Sequence, residues 1–118
     1  MSKVEITITT PAQALKDAAS IWQRAEAGDA NIVPSIGFGS PSELFAAITD
    51  RRLELLRHVA SHEVPNIHQL AQALGRDYKN VHTDVKALEE LGLLARVDGK
   101  LVVPFDEIDI RVALREAA

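Results

Sequence analysis

The fold is decided by residues 66–104, which read NIHQLAQALGRDYKNVHTDVKALEELGLLARVDGKLVVP. Asn66 is a residue type that caps helix N-termini, and after it apolar residues recur at helical spacing as far as Leu74. Gly75 follows, and glycine commonly closes helices because it adopts the left-handed backbone conformation at little cost. The pattern therefore predicts a helix that begins after Asn66 and ends at Leu74.

A second helix is predicted directly after Asp77, ending at Gly92. Its apolar positions follow spacings of four, three and three residues, and they are Val81, Val85, Leu88 and Leu91. Two helices joined by a short turn that contains glycine are typical of a helix-turn-helix. Two runs rich in β-branched residues then flank Asp98-Gly99, a strong signal for a β-hairpin. A hairpin in this place would make the unit a winged helix-turn-helix.

Residues 40–61 predict two further helices ahead of this stretch. Ser40 and Glu43 form a capping-box pattern around Pro41, and Thr49 or Asp50 caps the next helix, which ends near Ser61-His62. We therefore expect residues 40–118 to form a winged helix-turn-helix domain. It would have a three-helix core, a β-hairpin wing and a C-terminal strand. The predicted fold class of the whole chain is α+β.

Residues 1–39 predict a strand, a helix and a connector. Apolar and polar residues alternate over residues 3–9, and Thr10-Pro11 then begins a helix that runs to about Ala27. Its apolar stripe consists of Leu15, Ala18, Trp22 and Ala25, so the segment would pack on the rest of the domain or on a second copy. For Trp22, packing in the core or in a dimer is favoured over stacking on a ligand.

Two other segments leave alternatives open. In the connector, residues 28–41, extended structure is predicted at Ile32-Val33 or at residues 36–38. Residues 37–40 are interpreted as a plain turn, because a phosphate-binding loop would need a lysine. Residues 107–114 alternate, which favours a third strand on the hairpin or on the N-terminal strand. A helix is the weaker alternative there, mainly at residues 115–118.

Composition excludes several classes of function. The chain has 118 residues, no cysteine and a net charge of −4, and it contains no long apolar segment. These properties predict a soluble cytoplasmic protein without disulfides or a membrane span. No nucleophile and base stand in a recognisable pattern, so we expect neither an enzyme nor a cofactor. His58 and His62 are four residues apart but lack a third ligand, which argues against a metal site.

The exposed residues of the second helix suit contact with DNA. They cluster at its N-terminal end, the part that enters the major groove in helix-turn-helix proteins, and they are Tyr78, Lys79, Asn80, His82, Thr83 and Lys86. Asparagine pairs with adenine, threonine touches a thymine methyl group, and lysine reaches guanine or phosphate. We expect Arg76, Arg96 and Lys100 to contact phosphates. The predicted function is sequence-specific binding of double-stranded DNA by a homodimer.

From Ser40 to Pro104 the sequence resembles the MarR-like winged helix-turn-helix regulators of bacteria and archaea. More narrowly, Gly75 to Leu88 is similar to the helix of small prokaryotic DNA-binding proteins of antitoxin-like type. The resemblance implies a small transcriptional regulator, an autorepressor encoded beside a toxin protein that it also binds. Because the chain is acidic overall, an alternative stays open. In it, the protein is an interaction module, such as a toxin-neutralising antitoxin or an assembly subunit, with little DNA binding.

Overall fold

The computed structural model describes residues 2–28 and 33–115, and this part of the chain is α+β, with five helices and five strands. The elements are β1 (Lys3–Ile8), α1 (Pro11–Glu26), β2 (Ser35–Phe38), α2 (Pro41–Ala47), α3 (Asp50–Ser61), α4 (Ile67–Leu74), α5 (Tyr78–Glu90), β3 (Ala95–Val97), β4 (Lys100–Val102) and β5 (Glu107–Arg111). The predictions for Ile32 and for residues 116–118 lie outside the described residues. No helix within the described ranges is both long and apolar enough to cross a membrane.

The chain divides into two compact units. The central unit is Ala47–Asp106, and the terminal unit combines Met1–Ala46 with Glu107–Ala118. The sequence predicts a boundary between residues 39 and 40, with the C-terminal strand in the second domain. The structure instead places β5 in the terminal unit, because β5 pairs with β1.

The central unit consists of α3, α4, α5 and the antiparallel hairpin β3–β4. Its core contains most of the apolar positions that the helical repeats predict in α4 and α5, together with residues from α3 and the hairpin; Leu74 and Leu91 are only half-buried. The buried side chains of these four elements and their connections are Leu55, Leu56, Val59, Val64, Ile67, Leu70, Ala71, Val81, Val85, Leu88, Leu93, Leu94 and Leu101. In α3 the buried face includes Leu55, whereas Leu53 is only half-buried.

Both predicted turns of the central unit are confirmed. Gly75 has a φ of 64°, and the amide of Arg76 donates to the carbonyl of Ala71 across 3.0 Å, which closes the end of α4. In the hairpin, Asp98 and Gly99 have φ values of 53° and 82°, as a two-residue turn of this kind requires. Leu101 then donates its amide to the carbonyl of Val64, so β4 is fixed to the segment before α4.

The terminal unit contains a three-stranded sheet in the order β2-β1-β5, in which β1 is parallel to both neighbours. Val4 and Ile6 of β1 are fully buried, and in the register they stand beside Ile108 and Ile110 of β5. This pairing decides between the two predicted positions of the C-terminal strand in favour of the N-terminal strand.

Part of the glycine-containing connector is a strand: β2 covers Ser35–Phe38, which confirms the predicted extended structure at residues 36–38, and the predicted turn at 37–40 is limited to a bend at Gly39 and Ser40. Gly37 lies inside β2, opposite Thr7 of β1. A Cβ atom on Gly37 would come within 2.6 Å of the Cγ2 of Thr9. The glycine is therefore needed for close approach of this strand to the residue that follows β1.

Helix α1 begins as predicted, because the side chain of Thr10 accepts a hydrogen bond from the amide of Gln13 and Pro11 follows. However, no residue of this helix is buried. Leu15 and Trp22 of the predicted stripe are 74% and 68% exposed. The expectation that Trp22 packs in a core is therefore wrong.

Candidate functional site

The N-terminal half of α5 presents a row of polar side chains to solvent. Lys79, Thr83 and Lys86 are all exposed, and their spacing of four and three residues places them along one line of the helix. They lie opposite the buried positions 81, 85 and 88. The packing that anchors α5 to the core therefore also fixes the direction in which this row points.

Asn80 lies beside the row and is exposed, as predicted. Within the described residues its side-chain amide has no hydrogen-bond partner. The hydroxyl of Thr83 donates to the carbonyl of Lys79 across 3.0 Å, which holds its side chain in one orientation. Asn80 is thus the side chain on this half of the helix whose donors and acceptor are all available to a ligand.

Tyr78 and His82 form the other flank of the same helix end. The ring of Tyr78 lies 5.9 Å from the ring of His82 and 5.9 Å from the ring of His68 in α4. Sequence reasoning missed His68, although its exposed position outside the apolar repeat of α4 was a usable signal. The three rings make a partly exposed aromatic surface at the junction of α4 and α5.

Arg76 is placed differently from our expectation of a phosphate contact. Its Nη2 donates to the Oδ2 of Asp84 across 2.8 Å, while the Nε of Arg52 donates to Oδ1 across 3.0 Å. The Arg76 side chain is only 11% exposed, and its Nη1 is buried without a hydrogen-bond partner. This arginine connects the α4–α5 turn to α5 internally, so we remove it from the candidate site.

The two cations of the hairpin region are paired with carboxylates at the surface. Arg96 forms two hydrogen bonds of 3.3 Å with Glu89, and Lys100 forms an ion pair with Glu63. The hydrogen bond and the charge of Lys100 lower the pKa of Glu63 below its usual value of 4.5. Exposed pairs of this kind contribute little to stability, so both cations can exchange partners.

The charges at the two ends of α5 differ. Lys79 and Lys86 have no carboxylate partner within the described residues, whereas Glu90 stands one turn beyond Lys86 on the same side. The carboxylate of Asp84 is turned inward, and Arg52 and Arg76 neutralise it. On the first half of α5, Lys79 and Lys86 outnumber the exposed carboxylate of Asp77 at the N-cap, whereas the end at Glu90 is negative, and this difference favours an anionic ligand on the first half.

This arrangement of helices and hairpin falls within a stretch that matches a known family. The HVO_A0114 family model matches residues 47–110, which is more than half of the chain. The chain belongs to the HVO_A0114 family. No curated protein and no solved structure gives a significant match. The HVO_A0114 match includes the central unit and most of β5, but not α1.

Proposed function

We propose that the central unit is a winged helix-turn-helix and that it binds double-stranded DNA as a small transcriptional regulator. The observation that carries the proposal is the exposed row Lys79, Thr83 and Lys86 on the first half of α5. The helix follows a glycine-closed turn from α4 and precedes a hairpin, which is the order of elements in such domains.

The exposed residues of α5 divide into those suited to reading bases and those suited to contacting the DNA backbone. Asn80 and Thr83 are suited to reading base edges, because an amide can pair with adenine and a threonine can contact a thymine methyl group. Lys79 and Lys86 supply charge, and Tyr78 with His82 packs against the sugar and phosphate of the backbone. Their surface on α5 is about as long as the width of the major groove.

The hairpin cations complete the proposed interface. Lys100 and Arg96 would leave Glu63 and Glu89 for phosphates, an exchange that costs little because each pair is exposed. The intramolecular carboxylates compete with DNA, so we expect moderate affinity that falls steeply with salt concentration.

The experiment is fluorescence anisotropy of the purified protein on labelled duplex from its own promoter and on a scrambled duplex, over a series of salt concentrations. Tighter binding to the promoter, weakening with salt, is the expected result. Absence of binding to both duplexes at low salt would contradict the proposal.

A second candidate function is suggested by α1, whose apolar side is exposed. A surface of this kind favours binding to a protein. In the antitoxin-like version of the proposal, the partner would be a toxin protein, which would compete for this surface with a second copy of the chain. A pull-down with the product of the adjacent gene tests this version, and it is independent of the anisotropy measurement.

A further inference from the structure

The apolar stripe of α1 points away from the sheet of its own unit. The cleft between helix and sheet is lined on the helix side by Asp17, Ser20, Ile21 and Arg24. At 3.6 residues per turn, Leu15 and Trp22 lie on nearly the opposite side of the helix. The more polar side of α1 therefore lies over the sheet, and the more apolar side faces outward.

An uncovered helix of this kind is not expected to be stable by itself. Isolated helices shorter than about 12–15 residues are marginal in water, and α1 with 16 residues is only slightly longer. Its helicity must therefore be supported by packing, yet it buries no residue within the chain. We propose that a second copy of this chain covers the stripe, with the two α1 helices packed antiparallel.

The positions of the two large side chains favour a copy of the same chain. Leu15 and Trp22 are equally distant from the midpoint between Ala18 and Ala19. A two-fold axis at this midpoint would pack Leu15 of each copy on Trp22 of the other, as the self-complementary interface of a symmetric dimer requires. Alanines at the crossing point let the two helix backbones approach closely.

The polar atom of Trp22 is already satisfied inside its own helix. Its Nε1 donates to the Oε1 of Glu26 across 2.7 Å, so the rest of the indole can be covered by apolar groups without losing a hydrogen bond. Lys16 and Asp17 project from other sides of the helix and do not interrupt the stripe between Leu15 and Trp22.

The area that the stripe can bury indicates how stable the dimer would be. A tryptophan buries about 150–250 Å². With Leu15 and the alanines, we estimate roughly 450 Å² per copy, or about 900 Å² for the pair, which is near the lower limit of about 1,000 Å² for a specific interface. An interface of this size favours a weak, reversible dimer over a permanent one. This inference does not depend on DNA binding.

Sedimentation velocity of the full chain across micromolar concentrations tests the proposal. The wild type should shift from monomer to dimer, whereas Trp22→Glu should stay monomeric with an unchanged circular dichroism spectrum. Leu114→Glu is the matched control, because Leu114 is 93% exposed and lies outside α1. It should dimerise like the wild type. A wild type that is monomeric throughout, or a Trp22→Glu variant that dimerises equally well, would overturn the proposal.

Engineered thiols test the antiparallel arrangement, because the natural chain has no cysteine. Ala18→Cys should oxidise to a linked dimer. A short bismaleimide should join Leu15→Cys chains to Trp22→Cys chains, and should join neither variant to itself. Efficient linking of Leu15→Cys chains to each other would contradict the antiparallel pair and indicate a parallel one.

Discussion

Arg76 and Asp84 are joined by a hydrogen bond of 2.8 Å between Nη2 and Oδ2, and this bond connects the turn after α4 to the second turn of α5. Arg52 of α3 binds the other oxygen of the same carboxylate across 3.0 Å. One acidic side chain therefore links all three helices of the central unit. These bonds add to the core packing that holds α5 in place.

Removing this carboxylate should destabilise the protein. Asp84 is 14% exposed, and its loss would leave Arg76 without a side-chain partner and Arg52 with only the carbonyl of Ala47, both with little access to water. We expect Asp84→Ala to lower the free energy of unfolding by about 2–3 kcal/mol, measured by urea denaturation.

Asp77→Ala is the control for that experiment. Asp77 is exposed and caps α5 without a side-chain hydrogen bond, so its loss should cost about 0.5 kcal/mol or less. Equal destabilisation by the two substitutions would show that the Asp84 network does not hold the helices together.

The ion pair between Glu63 and Lys100 should produce a defined pH dependence. Because Lys100 lowers the pKa of Glu63 below 4.5 in the folded state, the pair stabilises the protein above pH 4.5. This stabilisation should be lost as the pH falls through the lowered pKa of Glu63. The stability difference between wild type and Glu63→Gln, followed by thermal unfolding, should shrink over that range. A difference that grows on acidification would contradict the pairing.

Glu63→Gln should also strengthen DNA binding. The substitution releases Lys100 for a phosphate and removes a negative charge near it, so we expect the affinity to rise by up to about fivefold. Glu107→Gln makes the same charge change in the terminal unit and should have a smaller effect. Equal gains in DNA affinity from the two substitutions would mean that the overall charge of the protein causes the gain and not the release of Lys100.

Substitutions along α5 should separate affinity from specificity. Lys79→Ala and Lys86→Ala should weaken binding to all duplexes and reduce the salt slope by about one each, whereas Lys16→Ala in α1 should not. Asn80→Ala should remove about 1–3 kcal/mol of discrimination at one base pair. Anisotropy on a set of single-base operator variants measures both effects. An Asn80→Ala variant with unchanged preference would exclude base contact by this residue.

The features that the sequence predicted well are those with local causes. Asn66, Gly75 and the Asp98-Gly99 pair each impose a backbone conformation on their immediate neighbours, and the structure has a helix start, a helix end and a hairpin turn at these positions. The apolar repeat of α5 likewise predicted its buried face, because helical spacing alone determines which positions share a side.

The features that the sequence left open or missed depend on contacts distant in sequence. The pairing of β5 with β1, about a hundred residues apart, was one of two predicted alternatives, because alternation alone does not specify a partner strand. Arg76 was assigned to phosphate because its charge is visible in the sequence, whereas its burial beside Asp84 and Arg52 is not. The sequence also left open whether the stripe of α1 packs on its own domain or on a second copy, because a stripe predicts an apolar face but not what covers it.

The most direct test of the central claim is a titration of the ¹⁵N-labelled protein with its promoter duplex, followed by amide chemical shifts. The account predicts that the largest shift changes fall on residues 78–86 of α5 and on residues 96–100 of the hairpin. Shift changes concentrated on α1, or none at all at saturating DNA and low salt, would contradict it.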